Sequence, residues 1–173
     1  MTRHRLLFVG SIVAGALQVP LQQARLPERM AAHFNLAGEP DGWMSRGAFA
    51  AVSSAVVLVV GAILAGVFAL IRRLPDRYFS LPRRDYWLAP ERRASTIGFL
   101  DRRLSWLGIA TLLLLMVLAQ LVIRANLSGD PRLPAFLPLF LLGPYLILVG
   151  VLAFRTQSTL ARGGGAGGGV DAG

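Results

Sequence analysis

One imidazole, His33, stands within nine residues of two carboxylates, Glu39 and Asp41, in the stretch LPERMAAHFNLAGEPDGWMSR (residues 26–46). These groups offer nitrogen and oxygen ligands to a hard or borderline divalent cation. With Asn35 added, the same polar face suits recognition of a ligand or a protein partner, and the stretch reads equally well as a structural cap. The spacing matches no established metal motif, so no metal and no cofactor is assigned. Hydrolysis lacks its parts. Ser45, Ser53 and Ser54 have no G-x-S-x-G setting, and the second histidine, His4, falls across the membrane from His33 in the topology argued below. There is no cysteine, which excludes disulfides, thiolate nucleophiles and cysteine-ligated metals. The chain is therefore read as a non-enzyme.

The local signals around these residues point to a short, turn-rich element. Pro27 suits the first turn of a helix, and Glu28 sits where the helix dipole favours a carboxylate. Leu26, Met30 and Phe34 recur every four residues, giving one apolar stripe. His33, Phe34 and Asn35 also admit an extended reading. Glu39, Pro40, Asp41 and Gly42 fit a tight turn, with proline fixing φ and glycine relieving the last position. Trp43 follows at the depth an amphipathic ring prefers at a membrane surface.

Long apolar runs flank this stretch. Hydrophobic residues make up 54% of the 173, and the mean hydropathy is +0.57, too apolar for a soluble domain of this size. The run from residue 6 follows Arg3 and Arg5, a layout shared by signal peptides and first spans, and Ala14-Gly15-Ala16 resembles a cleavage site. Its apolar character continues to residue 26, so a retained span is favoured, kinked at Pro20. Residues 48–71, 104–123 and 133–154 supply three more spans, the last broken by Pro134, Pro138 and Pro144. Small-residue pairs Gly10/Ala14, Ser11/Gly15 and Ala62/Gly66 are placed to let helices approach. The predicted fold is an all-α integral membrane protein, four transmembrane helices in an antiparallel bundle.

All 18 basic residues are arginine, and the net charge is +9. Nine of them, Arg72, Arg73, Arg77, Arg83, Arg84, Arg92, Arg93, Arg102 and Arg103, crowd the loop 72–103. Together with Arg3, Arg5, Arg155 and Arg162 they predict that both termini and this loop are cytoplasmic, in the cell membrane. Arg25, Arg29, Arg46, Arg124 and Arg132 are left to the outer side, so residues 26–46 face outward. Pro90 and Glu91 read as the start of a helix running through Ile97 and Leu100 into the third span. Tyr78, Phe79, Tyr86 and Trp87 lie among arginines, an arrangement suited to the headgroup layer. Membrane lipids are the expected partners there, and Asp76, Asp85, Glu91 and Asp101 temper the charge enough to argue against nucleic acid. The organisation is then a two-span module 1–71 with outward loop 26–46, a cytoplasmic loop 72–103, a second pair of spans 104–155 with outer loop 124–133, and a disordered glycine-rich tail 156–173.

The stretch 26–46, with RLPDRYFSLPRRDYWLAPERR downstream, resembles bacterial multi-pass membrane proteins carrying the domain of unknown function that also opens the SdpI-type immunity proteins. The recurrent core of that family, H-[FW]-N…G-x-x-D-G, is matched by His33, Phe34, Asn35, Gly38, Asp41 and Gly42. The resemblance covers roughly the first 100 residues. It implies a role in protection from a toxin and in relaying the toxin's presence to a repressor.

The functional expectation is an interaction, sensing or immunity-type membrane protein. His33, Asn35, Glu39 and Asp41 would meet a ligand or partner, on a frame set by Pro27, Phe34, Gly38, Pro40, Gly42 and Trp43. The cytoplasmic loop, through Arg83, Arg84, Tyr86, Trp87, Pro90, Arg92 and Arg93, would meet a second protein. The alternative is a permeation component for a small molecule or ion, or a transporter's accessory subunit. It is disfavoured because the spans carry no ionisable residue; Gln18 and Gln120 are their strongly polar side chains and are expected to hydrogen-bond between helices.

Overall fold

The apolar runs fold into long helices in the computed structural model, which describes residues 2–162. These are α1 (Arg3–Gln18), α2 (Arg46–Arg73), α4 (Pro90–Leu127) and α5 (Leu137–Arg162), with a one-turn helix α3 (Arg84–Trp87) ahead of α4. All four long helices, α1 taken with the 3-10 segment Pro20–Arg25 that continues it, are long and apolar enough to cross a membrane. The chain is a mostly helical, multi-pass membrane protein. Pro20 lacks the N–H that an α-helix needs, and the chain tightens there into 3-10 geometry. Pro90 opens α4 as expected from the sequence.

Two expectations about the ends change. The fourth span is not broken at its prolines: it begins at Leu137, after Pro134 and the positive-φ residue Phe136, and holds Pro144 within a continuous helix. Residues 156–162, grouped with the tail by composition, continue α5 to Arg162. The expectation of disorder for the glycine-rich remainder falls outside the described residues.

Helix packing uses Gly15 from the predicted pairs, together with two glycines outside them. Ile12 of α1 lies over Gly61 of α2, Val57 and Met116 lie against Gly15, and Phe8 lies over Gly108 of α4. Gly10 and Gly66 meet nothing within 4 Å. A glycine matters where a facing side chain is large enough to fill its notch, and spacing within one helix cannot reveal that. Phe8, Val57, Phe68, Ile109 and Leu112 form the core of α1, α2 and α4, with the Phe8 and Phe68 rings 5.0 Å apart. Gln18 and Gln120 do meet: Gln18 Nε2 donates to Gln120 Oε1 at 3.1 Å and to the Met116 carbonyl at 2.9 Å. Gln22 joins them, donating to Gln120 Oε1 at 3.1 Å. α5 packs on α4, where the Thr111 and Tyr145 hydroxyls are 2.8 Å apart.

The all-α expectation needs one amendment. Residues 29–45 form a two-stranded antiparallel hairpin, β1 (Arg29–Phe34) against β2 (Pro40–Ser45). No helix starts at Pro27. The four-residue interval of Met30 and Phe34 is also twice the strand period, so the stripe that suggested a helix equally marks one face of a strand. Met30 is fully buried in a second core cluster with Val19, Leu26, Phe49, Ala50 and Ile123.

Candidate functional site

The hairpin places the sequence-predicted polar residues. Its turn is Asn35–Leu36–Ala37–Gly38, not residues 39–42. Gly38 adopts φ +82°, its N–H donates to the Asn35 carbonyl at 3.0 Å, and the Asn35 side chain accepts from the Glu39 N–H at 3.0 Å. Left-handed backbone with an asparagine closing the loop outcompetes the Pro40–Gly42 sequence as a turn, and Pro40, Asp41 and Gly42 belong to β2. Asn35 thus spends its side-chain oxygen on the turn.

His33 and Asp41 come together. The pairing carries a bulge on either side of His33, which faces Gly42. There the backbone approach is close: a Cβ on Gly42 would lie 2.8 Å from the His33 Cβ. That geometry turns the imidazole toward Asp41, and Nδ1 and Oδ1 share a hydrogen bond of 2.5 Å. Both side chains are solvent-facing, at 77% and 44% exposure. Glu39 does not close a three-ligand set with them; among the described residues no group of three potential metal ligands gathers. Beside the pair, Leu36 and Trp43 are exposed, and Arg29 lies over the Trp43 ring with its guanidinium carbon 5.4 Å from the centroid. Phe34 is half-buried, and Pro27 precedes β1 in the connection from the 3-10 segment.

The opposite side of the hairpin is fixed by groups the sequence reading passed over. Asn126, near the end of α4, accepts from the Ala31 N–H through Oδ1 at 2.7 Å and donates to the Ala31 carbonyl through Nδ2 at 2.8 Å. The turn is held from a third direction. Leu133 N–H donates to the Gly38 carbonyl at 2.9 Å, and Phe136 N–H to the Leu36 carbonyl at 3.1 Å. The α4–α5 connection therefore closes over the tip. Ser45 caps α2 by accepting from the Ala48 N–H at 3.2 Å, so the hairpin passes into that helix without slack.

At the other end of the helices the buried carboxylate is Asp101 of α4. Arg5 of α1 donates to its Oδ2 at 2.7 and 2.9 Å, His4 lies at 3.4 Å, and Arg72 of α2 reaches Oδ1 at 3.3 Å. One negative charge thus joins three helices. The sequence grouped Asp101 with the solvated charges of the central loop. Its signal was periodic: Ile97, Asp101, Ser105, Gly108 and Leu112 form one buried face of α4.

The predicted cytoplasmic-loop residues divide into two sets. Trp87 is buried within the protein, donating from Nε1 to the Leu160 carbonyl at 2.7 Å, while Thr96 donates to the Trp87 carbonyl at 2.9 Å. Fastening the end of α5 satisfies both its apolar ring and its N–H. Arg93 donates to Asp76 at 2.8 Å and to the Leu74 carbonyl at 3.1 Å, holding the loop onto α4. Arg83, Arg84 and Pro90 remain exposed, and Arg92 stacks over Tyr86 at 4.1 Å.

A family model described as a domain of unknown function (DUF1648) matches residues 6–58, less than half of the chain. The matched segment takes in most of α1, the whole hairpin and the first part of α2. No curated protein and no solved structure matches the chain.

Proposed function

We propose that this chain is a non-enzymatic interaction or sensing protein of the plasma membrane, and that it recognises a ligand or protein partner through the hairpin face bearing His33 and Asp41. One observation carries the reading: an exposed imidazole–carboxylate pair sits on a hairpin clamped on its other side by Asn126 and at its tip by Leu133. Preorganised polar groups beside an exposed Trp and Arg are the composition that binding surfaces favour. The fold has little need of a solvated imidazole–carboxylate contact, which contributes at most about 1 kcal/mol.

In this reading the helices form an antiparallel bundle with both termini cytoplasmic and the hairpin outside. Support comes from the arginine distribution and from α1–α2 contacts, Ile12 with Gly61 and Ala16 with Ser54, that run in opposite senses. The resemblance to SdpI-type immunity proteins suggests a toxin-like ligand outside, with Arg83, Arg84 and Arg92 available to a second protein inside. Fold-level likeness alone does not carry function, so the hairpin face itself must be tested.

A photo-crosslinking amino acid at Leu36 in the tagged, full-length chain tests it in living cells. A specific adduct that disappears in the His33→Ala/Asp41→Ala double variant is expected. Absence of any such adduct, together with ion flux through the purified protein in liposomes, would sink the reading in favour of permeation.

A further inference from the structure

Between α4, α5 and the segment 78–81 lies a crevice of about 390 Å³. Its walls are mostly aliphatic. On α4 the lining runs Leu107, Leu104, Arg103, Leu100, and on α5 Val149, Leu152, Gln157, Leu160, so Arg103 and Gln157 interrupt aliphatic walls at matching depth. Tyr78 also lines the crevice, and Arg77, outside the lining, donates to its hydroxyl at 3.2 Å and lies over its ring. Arg103 lies over Phe99, 5.2 Å from the ring centroid. Among the described residues neither Arg77 nor Arg103 has a carboxylate within 4.0 Å, whereas Arg5, Arg72 and Arg93 each do.

We propose that this crevice holds one acyl chain of an anionic phospholipid, with the lipid phosphodiester on Arg103 and Arg77 beside it. Aliphatic walls within a membrane-spanning layer take a hydrocarbon chain, while the uncompensated guanidinium of Arg103 in the lining, with that of Arg77 on the adjoining Tyr78, calls for an anion. Guanidinium matches a phosphate through paired N–H donors, and basic pockets between membrane helices suit anionic headgroups. Water does not fit the aliphatic part, which offers it too few partners. A helix from a second copy fits less well, because it would strand Arg103 away from both water and counter-charge. Lipid held here would fill the gap beside α5 and add to the hold that Trp87 already has on its end.

The test is native mass spectrometry of the full chain in mild detergent with equal amounts of phosphatidylglycerol and phosphatidylcholine. One phosphatidylglycerol per chain is expected to survive detergent stripping. Arg103→Gln should lower its retention roughly fivefold, about the worth of one arginine near an anionic surface, and remove the preference over phosphatidylcholine. Ala153→Phe, which fills the crevice, should lower retention of both lipids. No preference in the wild-type chain, or wild-type retention in Arg103→Gln, overturns the proposal. So does full retention in an Ala153→Phe chain that still melts cooperatively, or a lipid-free dimer as the main species. If Ala153→Phe does not fold, Arg103→Gln decides alone.

Discussion

Asn126 holds Ala31 as a neighbouring strand would, taking its N–H and its carbonyl with one carboxamide, at 2.7 and 2.8 Å. Ala31 is fully buried and its Asn126 partner nearly so, so neither backbone group has water to fall back on. The amide of a helix side chain thus extends a two-stranded sheet that would be marginal alone.

Replacing that amide should loosen the hairpin. Asn126→Ala strands two buried backbone groups, and a loss of about 2 kcal/mol is expected. Asn126→Asp, which keeps an acceptor but loses the donor, should be equally damaging. Thermal melting in detergent measures both, and cleavage by trypsin after Arg29 should accelerate.

Two positive-φ glycines among the described residues separate backbone strain from steric contact. Gly38 and Gly129 have φ of +82° and +83°, yet a Cβ on Gly38 would fall 1.9 Å from the Leu133 carbonyl oxygen, while one on Gly129 meets nothing within 4 Å. Gly129→Ala should therefore cost about 1 kcal/mol from conformation alone. Gly38→Ala should cost at least about twice that, because the α4–α5 connection must lift off the tip. Equal melting temperatures for the two variants would contradict the docked tip.

On the hairpin face the order should reverse. His33→Ala and Asp41→Ala remove an exposed pair, so folding should change by no more than about 0.5 kcal/mol while the Leu36 crosslink or the cellular phenotype is lost. Gly42→Val places a side chain against His33 and should chiefly lower folded yield. If the two alanine variants destabilise the fold as much as Gly42→Val, the hairpin is a structural cap.

Asp101→Asn should leave Arg5 and Arg72 without their shared counter-charge. Both guanidiniums are about one-third exposed or more, which softens the penalty to about 2 kcal/mol. Melting of Asp101→Asn against Asp85→Asn, whose carboxylate is solvent-facing, measures the difference.

Orientation is open to reporter fusions at Gly38, Arg84, Gly129 and Gly163, expected outside, inside, outside and inside. A different alternation would remove the outward hairpin.

The spans were legible because hydropathy needs no partner: twenty apolar residues identify a membrane helix wherever it packs. Gln18 and Gln120 were legible for a related reason, since a polar side chain inside such a span must find another. The hairpin was not. Leu26, Met30 and Phe34 satisfy helix and strand periods together, and Pro27-Glu28 imitates a helix start, so only the paired strands decide. His33 and Asp41 stood out by type, but their meeting depends on a bulge. Asn126 looked like part of a loop because the sequence around it, RANLSGD, is polar; its importance comes from Ala31, 95 residues away (126 − 31).

The ion cluster at Asp101 has a consequence for biosynthesis. Arg5 leaves the ribosome first, Arg72 next, and the carboxylate that joins them follows 29 residues later (101 − 72). Until α4 arrives, the first two helices carry cations with no counter-ion at the ends where they should meet, and water or lipid phosphate must solvate them. Translation order therefore makes the third span the one that closes the charged ends of its predecessors, and a nascent chain stalled before it should hold α1 and α2 in the bilayer with the Arg5 and Arg72 ends still open.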